Sequence, residues 1–245
     1  MPHVTAAILA GGVGARMGGP LPKQLLPLDG RPIIEHSIAA FEAAPEVDEI
    51  VVFMVPEHLP EVERIVKDSG AGKVAAVLPG GATRTGSSTA ALRAVAARGD
   101  GDLLLIHDAV RPLVARPTIG AVVEALAAGA GAVGVAVPSS DTVVRVAAAP
   151  GGAEVIAEVP PRSELRRMQT PQGFRLGVLR RAYGLALADP ELVATDDCGV
   201  VLRYLPGEPV RIVAGTESNI KITHPGDVEV AEALLRRDAG TGRDG

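Results

Sequence analysis

The feature that most limits the fold of this chain is a regular alternation between two patterns. Short apolar runs rich in β-branched residues are followed by longer segments with apolar residues three and four positions apart. The short runs predict strands and the longer segments predict helices, and this alternation is typical of a parallel sheet with crossover helices on both faces. The predicted strands are residues 4–9, 49–55, 74–78, 103–106 and 132–137, and the predicted helices between them are 32–43, 58–69, 85–97 and 117–128.

The alternation weakens after Pro138. Residues 142–146 and 154–159 are predicted to be two strands joined by a loop at 147–152, which indicates a hairpin that projects from the main sheet. Beyond it we expect helices at 176–188, 197–205 and 225–237, and a strand at 210–213. The prediction is one α/β, Rossmann-like domain over residues 1–238, with the hairpin arm at about 139–169 and a disordered tail at 239–245.

Composition excludes several classes of protein. The net charge of −5 and the 2% aromatic content argue against a protein that holds a nucleic-acid backbone or stacks its bases. The single cysteine, Cys198, cannot form an internal disulfide, and no Cys/His cluster has the spacing of zinc ligands. We find no signal-peptide pattern and no apolar run near 18 residues, so the sequence predicts a soluble cytoplasmic protein.

A glycine-rich loop with two cations follows the first predicted strand. Glycines allow backbone amides to approach a phosphate closely, and Arg16 and Lys23 can neutralise its charge. A dinucleotide fingerprint requires glycine where Met17 stands, and a P-loop requires Ser or Thr where Gln24 follows the lysine, so neither motif is present. The alternative is a flexible turn with two solvated cations.

A second candidate site lies at the end of the predicted strand 103–106. Asp108 and Arg111 follow this strand, at the sheet edge where α/β proteins bind ligands. Asp108 can coordinate a magnesium ion that bridges nucleotide phosphates, and Arg111 can hold the phosphate of a second substrate. The alternative is a structural ion pair between these two residues. We expect His107 to have a packing role.

Residues 7–18 together with Pro22-Lys23-Gln24 resemble the loop of the nucleotidyltransferases that form sugar nucleotides. Within that group the chain is most similar to the cytidylyltransferases that act on 2-C-methyl-D-erythritol 4-phosphate and on D-ribitol 5-phosphate. The resemblance continues through residues 80–88, 104–112, 140–144, 161–174 and 219–223. It implies a loop that wraps the triphosphate of CTP, transfer of CMP to a polyol phosphate, and a dependence on Mg²⁺ or another divalent cation.

The resemblance also implies a role for each matching residue. It implies three catalytic cations, which are Arg16, Lys23 and Lys221. The nucleotide-binding residues that it implies are Ala10, Gly11, Gly12, Gly14, Gly81, Ala82 and Ser87. The acceptor-binding residues are Arg111, Thr142, Arg162 and Thr170, and the metal ligand is Asp108. It further implies a homodimer in which each arm embraces its neighbour, so that Arg162 and Thr170 complete the neighbour's acceptor pocket while Thr142 serves its own.

Some of these roles have structural alternatives. Ser87 could be a plain helix cap, and the arm could be a solvated hairpin. The family often has an acidic residue where Ala82 stands, so a base contact there would use the main chain. The segment around Lys221 is expected to be a strand, and Asp196 and Asp197 are expected at a helix start, as supports of the site or as caps.

Four functions follow from these observations. The acceptor could be 2-C-methyl-D-erythritol 4-phosphate, in isoprenoid precursor synthesis by the non-mevalonate pathway, or D-ribitol 5-phosphate, giving CDP-ribitol for teichoic-acid-type polymers. The start Ile8-Leu9-Ala10-Gly11-Gly12 and Val144 favour ribitol phosphate, whereas the wide occurrence of the methylerythritol reaction in bacteria favours the first. The others are a non-catalytic nucleotide-binding regulator and a dehydrogenase, which Met17 disfavours.

Overall fold

A central seven-stranded sheet organises the part of the chain that the computed structural model describes, residues 1–11 and 21–241. Its strands are β1 Val4–Ala10, β4 Glu49–Met54, β5 Val74–Pro79, β6 Leu103–Asp108, β7 Ala132–Pro138, β10 Arg166–Arg175 and β11 Val210–Ala214. Their spatial order is β11-β7-β10-β6-β1-β4-β5. Strand β10 is antiparallel to both neighbours, and the other pairs are parallel. A small separate hairpin joins β2 Pro27–Leu28 to β3 Arg31–Pro32.

Helices cover both faces of this sheet. They are α1 Ile33–Glu42, α2 Leu59–Ser69, α3 Arg84–Ala94, α4 Arg116–Ala127, α5 Leu176–Ala186, α6 Asp197–Tyr204 and α7 Gly226–Thr241. Successive side chains of β1 point to opposite faces: Ile8 packs in the core under α1, α2 and α4, whereas Leu9 packs in the core under α3, α5 and α6. Strands buried on both faces explain the continuous apolar runs, and the predicted α/β fold with a mostly parallel sheet is confirmed.

Strand β10 was not predicted as a strand. It carries most of the motif at 161–174, and its polar residues Gln169, Thr170 and Gln172 are nevertheless buried. Pro171 has no N–H to donate to the ladder, and the pairing with β7 shifts register between Gln169 and Gly173. A central strand with proline and buried polar residues does not show the apolar pattern from which strands are predicted.

The arm is a two-stranded hairpin made by β8 Arg145–Ala148 and β9 Glu154–Glu158. All residues of both strands are exposed. Strand β8 begins three residues later than predicted, and the hairpin forms a sheet of its own. The structure therefore contains the expected hairpin, while its association with a second subunit stays a prediction.

Three other expectations need correction or lie outside the described residues. Helix α7 continues to Thr241, into the segment 239–245 predicted as a disordered tail, and 242–245 are not described. Residues 219–223 do not form the expected strand, although the Ile222 amide donates to the Val110 carbonyl at 2.9 Å. Gly12, Gly14 and Arg16 also lie outside the described residues. Over the described ranges, every helix is too short or too polar to cross a membrane.

Candidate active site

An open cleft of about 220 Å³ lies at the carboxyl ends of β1 and β6, beside the start of α3. This is the sheet edge where α/β folds usually bind ligands. Residues from several separate parts of the chain line the cleft: Leu9, Gly11, Lys23, Gln24, Ala82, Thr83, Arg84, Ser87, Asp108, Val110, Thr195 and Lys221. The structure thus brings together six predicted site residues, which are Gly11, Lys23, Ala82, Ser87, Asp108 and Lys221.

One wall of the cleft is a close contact between Gly11, directly after β1, and the turn before α3. A Cβ atom at Gly11 would lie 2.8 Å from Ser87 Oγ and 3.1 Å from the Gly81 carbonyl oxygen, so a side chain does not fit there without a shift. The Ser87 hydroxyl donates to the Gly81 carbonyl at 3.3 Å and accepts from the Gly81 amide at 3.2 Å. This wall therefore depends on glycine at position 11.

Ser87 is not the cap of α3. The cap is Thr83, whose Oγ1 accepts a hydrogen bond from the Gly86 amide at 3.0 Å. The Ser87 hydroxyl instead closes the turn at Gly81, so in this structure it determines the shape of the predicted base-binding turn. Ala82 is exposed and lines the cleft.

A short 3₁₀ turn, Lys23–Leu25, places the side chain of Lys23 at the cleft. Lys23 Nζ donates to the Ile222 carbonyl at 3.0 Å, and the buried Gln24 donates through Nε2 to the Ala10 carbonyl at 2.6 Å. These bonds attach the turn both to the end of β1 and to the segment that carries Lys221. Ala10 is buried, and its carbonyl serves this attachment.

Asp108 is the centre of the charges in the cleft. Its Oδ1 accepts a hydrogen bond from Arg84 Nη1 at 2.6 Å, and its Oδ2 lies 2.8 Å from Lys221 Nζ. Arg111 Nε is further away, at 3.8 Å from Oδ2. The expected alternative of an Asp108–Arg111 ion pair is therefore only a minor part of the observed arrangement, because Arg84 and Lys221 are the close partners.

Arg84 has a second carboxylate partner behind the cleft. Its Nη2 donates to Asp197 Oδ2 at 2.7 Å, and the Tyr183 hydroxyl donates to Asp197 Oδ1 at 2.6 Å. Gln172 Oε1 accepts from the amides of Asp197 and Cys198, at 2.9 and 3.1 Å. Asp197 is fully buried, and the buried row Asp108–Arg84–Asp197–Tyr183 connects β6, α3, α6 and α5.

The acidic pair at the start of α6 divides two roles between its members. Asp196 is the helix cap, since its Oδ1 accepts from the Gly199 amide at 2.7 Å. Asp197 supports the site through Arg84. Sequence reasoning did not find Arg84 as a functional residue, although it lies within the matching stretch 80–88. An arginine at a helix start and an acidic pair far along the chain form too common a pattern to identify a functional residue.

These contacts change the pKa values of the row. Burial alone would raise the pKa of Asp108, but Arg84, Lys221 and Arg111 outweigh it and hold that pKa well below its usual range. Burial would lower the pKa of Arg84, but Asp108 and Asp197 raise it. Burial and then Asp197 raise the pKa of Tyr183, so its hydroxyl remains a donor. Asp108 is therefore an ionised carboxylate at neutral pH.

Arg111 and Thr170 lie behind the cleft rather than in its lining. The Arg111 guanidinium donates to the carbonyls of Asn219 and Met168, at 2.7 and 3.3 Å. Thr170 Oγ1 accepts from the Asp108 amide at 3.1 Å and contacts His107 Nδ1 at 2.9 Å. Thr170 is buried in the central sheet of its own chain, where it contacts this chain's Asp108; its part in a neighbour's acceptor pocket stays a prediction.

His107 has the packing role that we expected. The ring is fully buried, its Nε2 lies 3.1 Å from the Arg111 carbonyl, and its centroid is 4.9 Å from that of Phe41. Burial lowers the pKa of His107 to about 4.

Thr142 and Arg162 both belong to the exposed arm. Arg162 is held only loosely, by a hydrogen bond from Nη1 to the Ser140 carbonyl at 3.2 Å. Neither residue lines the cleft of its own chain.

Asp108 is the candidate ligand for a divalent cation. Among the residues that the structure describes, no group of three His, Cys, Asp or Glu side chains could hold a metal ion. Asp108 offers one carboxylate at the wall of the cleft. Magnesium is commonly held by one or two carboxylates together with substrate phosphates and water. These residues therefore fit a cation that is bound mainly by a nucleotide.

Comparisons with known proteins agree over almost the whole chain. A family model described as 2-C-methyl-D-erythritol 4-phosphate cytidylyltransferase matches residues 4–237. A protein of that name from Thermobifida fusca is 64% identical over 235 residues, which cover 96% of this chain and 94% of the relative. A crystal structure of 4-diphosphocytidyl-2C-methyl-D-erythritol synthase from Anaerococcus prevotii superposes with a TM-score of 0.81 at 29% identity, covering 96% of each chain.

The comparisons also include a protein with the other acceptor in its name. A bifunctional ribulose 5-phosphate reductase/CDP-ribitol pyrophosphorylase from Haemophilus influenzae is 39% identical over 229 residues. The match covers 94% of this chain but only 47% of that protein.

Proposed function

This chain belongs to the 2-C-methyl-D-erythritol 4-phosphate cytidylyltransferase family, and we propose that the cleft around Asp108 is its active site. The protein is a nucleotidyltransferase that transfers CMP from CTP to 2-C-methyl-D-erythritol 4-phosphate in isoprenoid precursor synthesis. The observation that carries the site assignment is the pairing of Lys221 and Arg84 with one ionised carboxylate, with Lys23 in the same cleft, at the open end of the sheet.

Ribitol phosphate is the lesser alternative as acceptor. The start of β1 and Val144 favoured it, but the 64% identical relative carries the methylerythritol name over nearly its full length. The relative with the ribitol name is less similar and matches over only half of its own length. Membership of an enzyme family also removes the non-catalytic regulator and the dehydrogenase from consideration.

The reaction needs no covalent enzyme intermediate, because the acceptor phosphate is itself a nucleophile. One of its oxygens attacks the α-phosphorus of CTP in line, the bond from that phosphorus to the bridging oxygen breaks, and pyrophosphate leaves. The enzyme must align the two anions and neutralise the charge that develops on the phosphoryl oxygens. Lys23 and Lys221, which both line the cleft, are proposed to do this, and the family resemblance adds Arg16.

Asp108 is proposed to hold a divalent cation, Mg²⁺ or a substitute, together with the CTP phosphates. When bound there, such a cation would neutralise part of the charge on the phosphates. Lys221 is the more exposed of the two close partners of Asp108, with 41% of its side chain exposed against 19% for Arg84. Lys221 is therefore the partner that can turn from the carboxylate toward a phosphate.

The glycine loop and the turn at Gly81 are proposed to bind the nucleotide. Gly11 allows the loop to lie against Gly81 and Ser87, and the same absence of a side chain lets backbone amides approach phosphates. Gly12 and Gly14 would extend this surface around the triphosphate. Ala82 would contribute its main chain to the cytosine, with Ser87 holding the turn in shape.

The acceptor is proposed to be held by residues from two subunits. Arg111 would act from behind the cleft, and Thr170 would fix the amide of Asp108. Arg162 lies on the arm and would reach a site only when two chains pair, whereas Thr142 would serve the pocket of its own chain. A homodimer is supported by the apolar residues that the arm exposes, among them Val146, Val155 and Ile156.

The test is pyrophosphate release measured with each nucleotide and each polyol phosphate in turn. We expect turnover with CTP, 2-C-methyl-D-erythritol 4-phosphate and a divalent cation, and loss of that turnover in Asp108→Asn. Equal turnover with ATP, UTP or GTP would contradict the assignment of the base-binding turn. Faster turnover with D-ribitol 5-phosphate would contradict the acceptor, and an unchanged Asp108→Asn would contradict the site.

A further inference from the structure

The two oxygens of the Asp108 carboxylate are held in different ways. Oδ1 accepts from Arg84 at 2.6 Å, and Oδ2 is 2.8 Å from Lys221. Arg84 has a second carboxylate partner at 2.7 Å, whereas Lys221 has no second carboxylate within 4 Å among the residues that the structure describes. A fixed donor on one oxygen and an exchangeable donor on the other would leave one oxygen of Asp108 available to a cation.

Arg84 is fixed because the groups behind it are fixed. Asp197 is 0% exposed and cannot turn to solvent. Its Oδ1 is occupied by the Tyr183 hydroxyl, and its amide is held by Gln172 at the start of α6, where the helix dipole favours a carboxylate. The planar guanidinium can bridge two carboxylates at once, which an ammonium group on a flexible stem does less well.

We propose that Arg84 is a positioning residue for Asp108, and that Asp197 is the anchor that keeps Arg84 in place. Arg84 would hold Oδ1 throughout the reaction, and Oδ2 would pass from Lys221 to the divalent cation of the CTP complex. This inference rests on the proposed metal role of Asp108 and deepens it. Residues that orient a metal ligand commonly change metal affinity by about 10- to 100-fold when they are replaced.

The test measures cation binding directly. Mn²⁺ is titrated into the full-length protein saturated with the nonhydrolysable α,β-methylene analogue of CTP, and free Mn²⁺ is followed by electron paramagnetic resonance. We expect Asp197→Asn to raise the Mn²⁺ dissociation constant about tenfold. The matched control is Asp196→Asn, the same change at the next residue, where asparagine still caps α6 and no contact with Arg84 is involved. The control should bind Mn²⁺ as the native protein does.

Two further variants protect the test against loss of folding. Removing one member of a buried ion pair can unfold a protein, so the double variant Arg84→Gln with Asp197→Asn replaces the charged pair by a neutral one. It should fold by circular dichroism and still show the weakened Mn²⁺ binding. Arg84→Lys keeps the charge but not the bridge, and should give an intermediate dissociation constant.

The kinetic readout separates positioning from general damage. In Asp197→Asn the Mg²⁺ concentration for half-maximal rate should rise by a similar factor, while kcat at saturating Mg²⁺ changes less. Native Mn²⁺ affinity in the folded Asp197→Asn or double variant would overturn the proposal for Arg84 and Asp197. Native Mn²⁺ affinity in Asp108→Asn would instead overturn the metal role of Asp108, so the two failures are distinguishable.

Discussion

The charge cluster at the cleft and the hairpin arm are built in opposite ways. In the cluster, Asp108, Arg84, Asp197 and Tyr183 are buried or nearly so, and each has close partners within the same chain. On the arm, Ile156 is 65% exposed, although it is one of the most apolar side chains. The cluster is complete in one chain, whereas the arm exposes an apolar surface that a second chain would cover in the proposed dimer.

The difference has a physical cause. A buried charge is tolerated only when it is paired and hydrogen-bonded, so the cluster must be assembled by the fold itself. A two-stranded hairpin buries almost nothing and is only marginally stable in water by itself. We therefore expect changes in the cluster to act on the chemistry of one subunit, and changes in the arm to act through association of two.

The largest effect is expected for Lys23→Ala. Loss of a cation placed against the reacting phosphate should lower kcat by about 10²- to 10³-fold, measured by pyrophosphate release at saturating substrates. Lys73→Ala is the matched control, because Lys73 also donates from Nζ to a backbone carbonyl, that of Ala44 at 2.6 Å, but lies outside the cleft. Equal losses in both variants would show that Lys23 contributes structure rather than charge.

A smaller effect is expected when charge is placed on the arm. Ile156 is opposite Val146 in the hairpin, and we expect Ile156→Glu to weaken dimerisation by about thirtyfold, as for an interface hot spot, without unfolding the subunit. Sedimentation over a range of concentrations would measure it. Val230→Glu makes the same change at another exposed apolar residue, on α7, and should leave the association unchanged. An unchanged dimer in Ile156→Glu would mean that the arm is a solvated hairpin.

Gly11→Ala, in the wall of the cleft formed with Gly81 and Ser87, should raise the KM for CTP by about tenfold. The new methyl group would crowd Ser87 Oγ and the Gly81 carbonyl, so the turn must shift and the KM for CTP should rise. Gly101→Ala is the control, since a Cβ at Gly101 meets no atom within 4 Å. If the KM for CTP were the same in both variants, the wall at Gly11 would have no part in nucleotide binding.

Most of the fold could be predicted from the sequence because most of its helices and strands follow local patterns of apolar residues. Helices α1 to α6 each begin and end within a few residues of their predicted bounds, since apolar periodicity follows which face is buried. Strand β10 could not be predicted, because Pro171 and the buried Gln169 and Gln172 interrupt the apolar pattern of a strand. The strand is held instead by pairing with β7, which is distant in the sequence. Such pairing leaves no local pattern.

Only those site residues that belong to a recognisable sequence motif could be predicted. The grouping of Lys23, Asp108 and Lys221 follows from the strand-end setting and the family resemblance, and the structure brings these residues together. The link from Arg84 to Asp197 joins residues 113 positions apart, and neither has a distinctive local sequence. Only the fold reveals that one arginine bridges two carboxylates.

The final prediction joins the two regions in one experiment. If the arm carries Arg162 into the neighbour's site, a site needs Lys23 from one chain and Arg162 from the other. Arg162→Ala and Lys23→Ala homodimers should then both be strongly impaired. After subunit exchange in an equal mixture, half of the dimers are mixed, and one of the two sites in each mixed dimer holds both native residues. Activity should recover to about a quarter of the native value.

The control for this mixture is a pair of variants on the same side of the site. Lys23→Ala mixed with Asp108→Asn should recover nothing if the arm is exchanged as proposed. Both residues lie in the cleft of one chain, so every site in a mixed dimer lacks one of them. Exchange itself is verified by mass spectrometry of the mixed dimers. If exchange is complete and the Arg162→Ala mixture also stays inactive, Arg162 does not act in the neighbour's site. The cluster around Asp108 would then have to bind the acceptor with residues of its own chain.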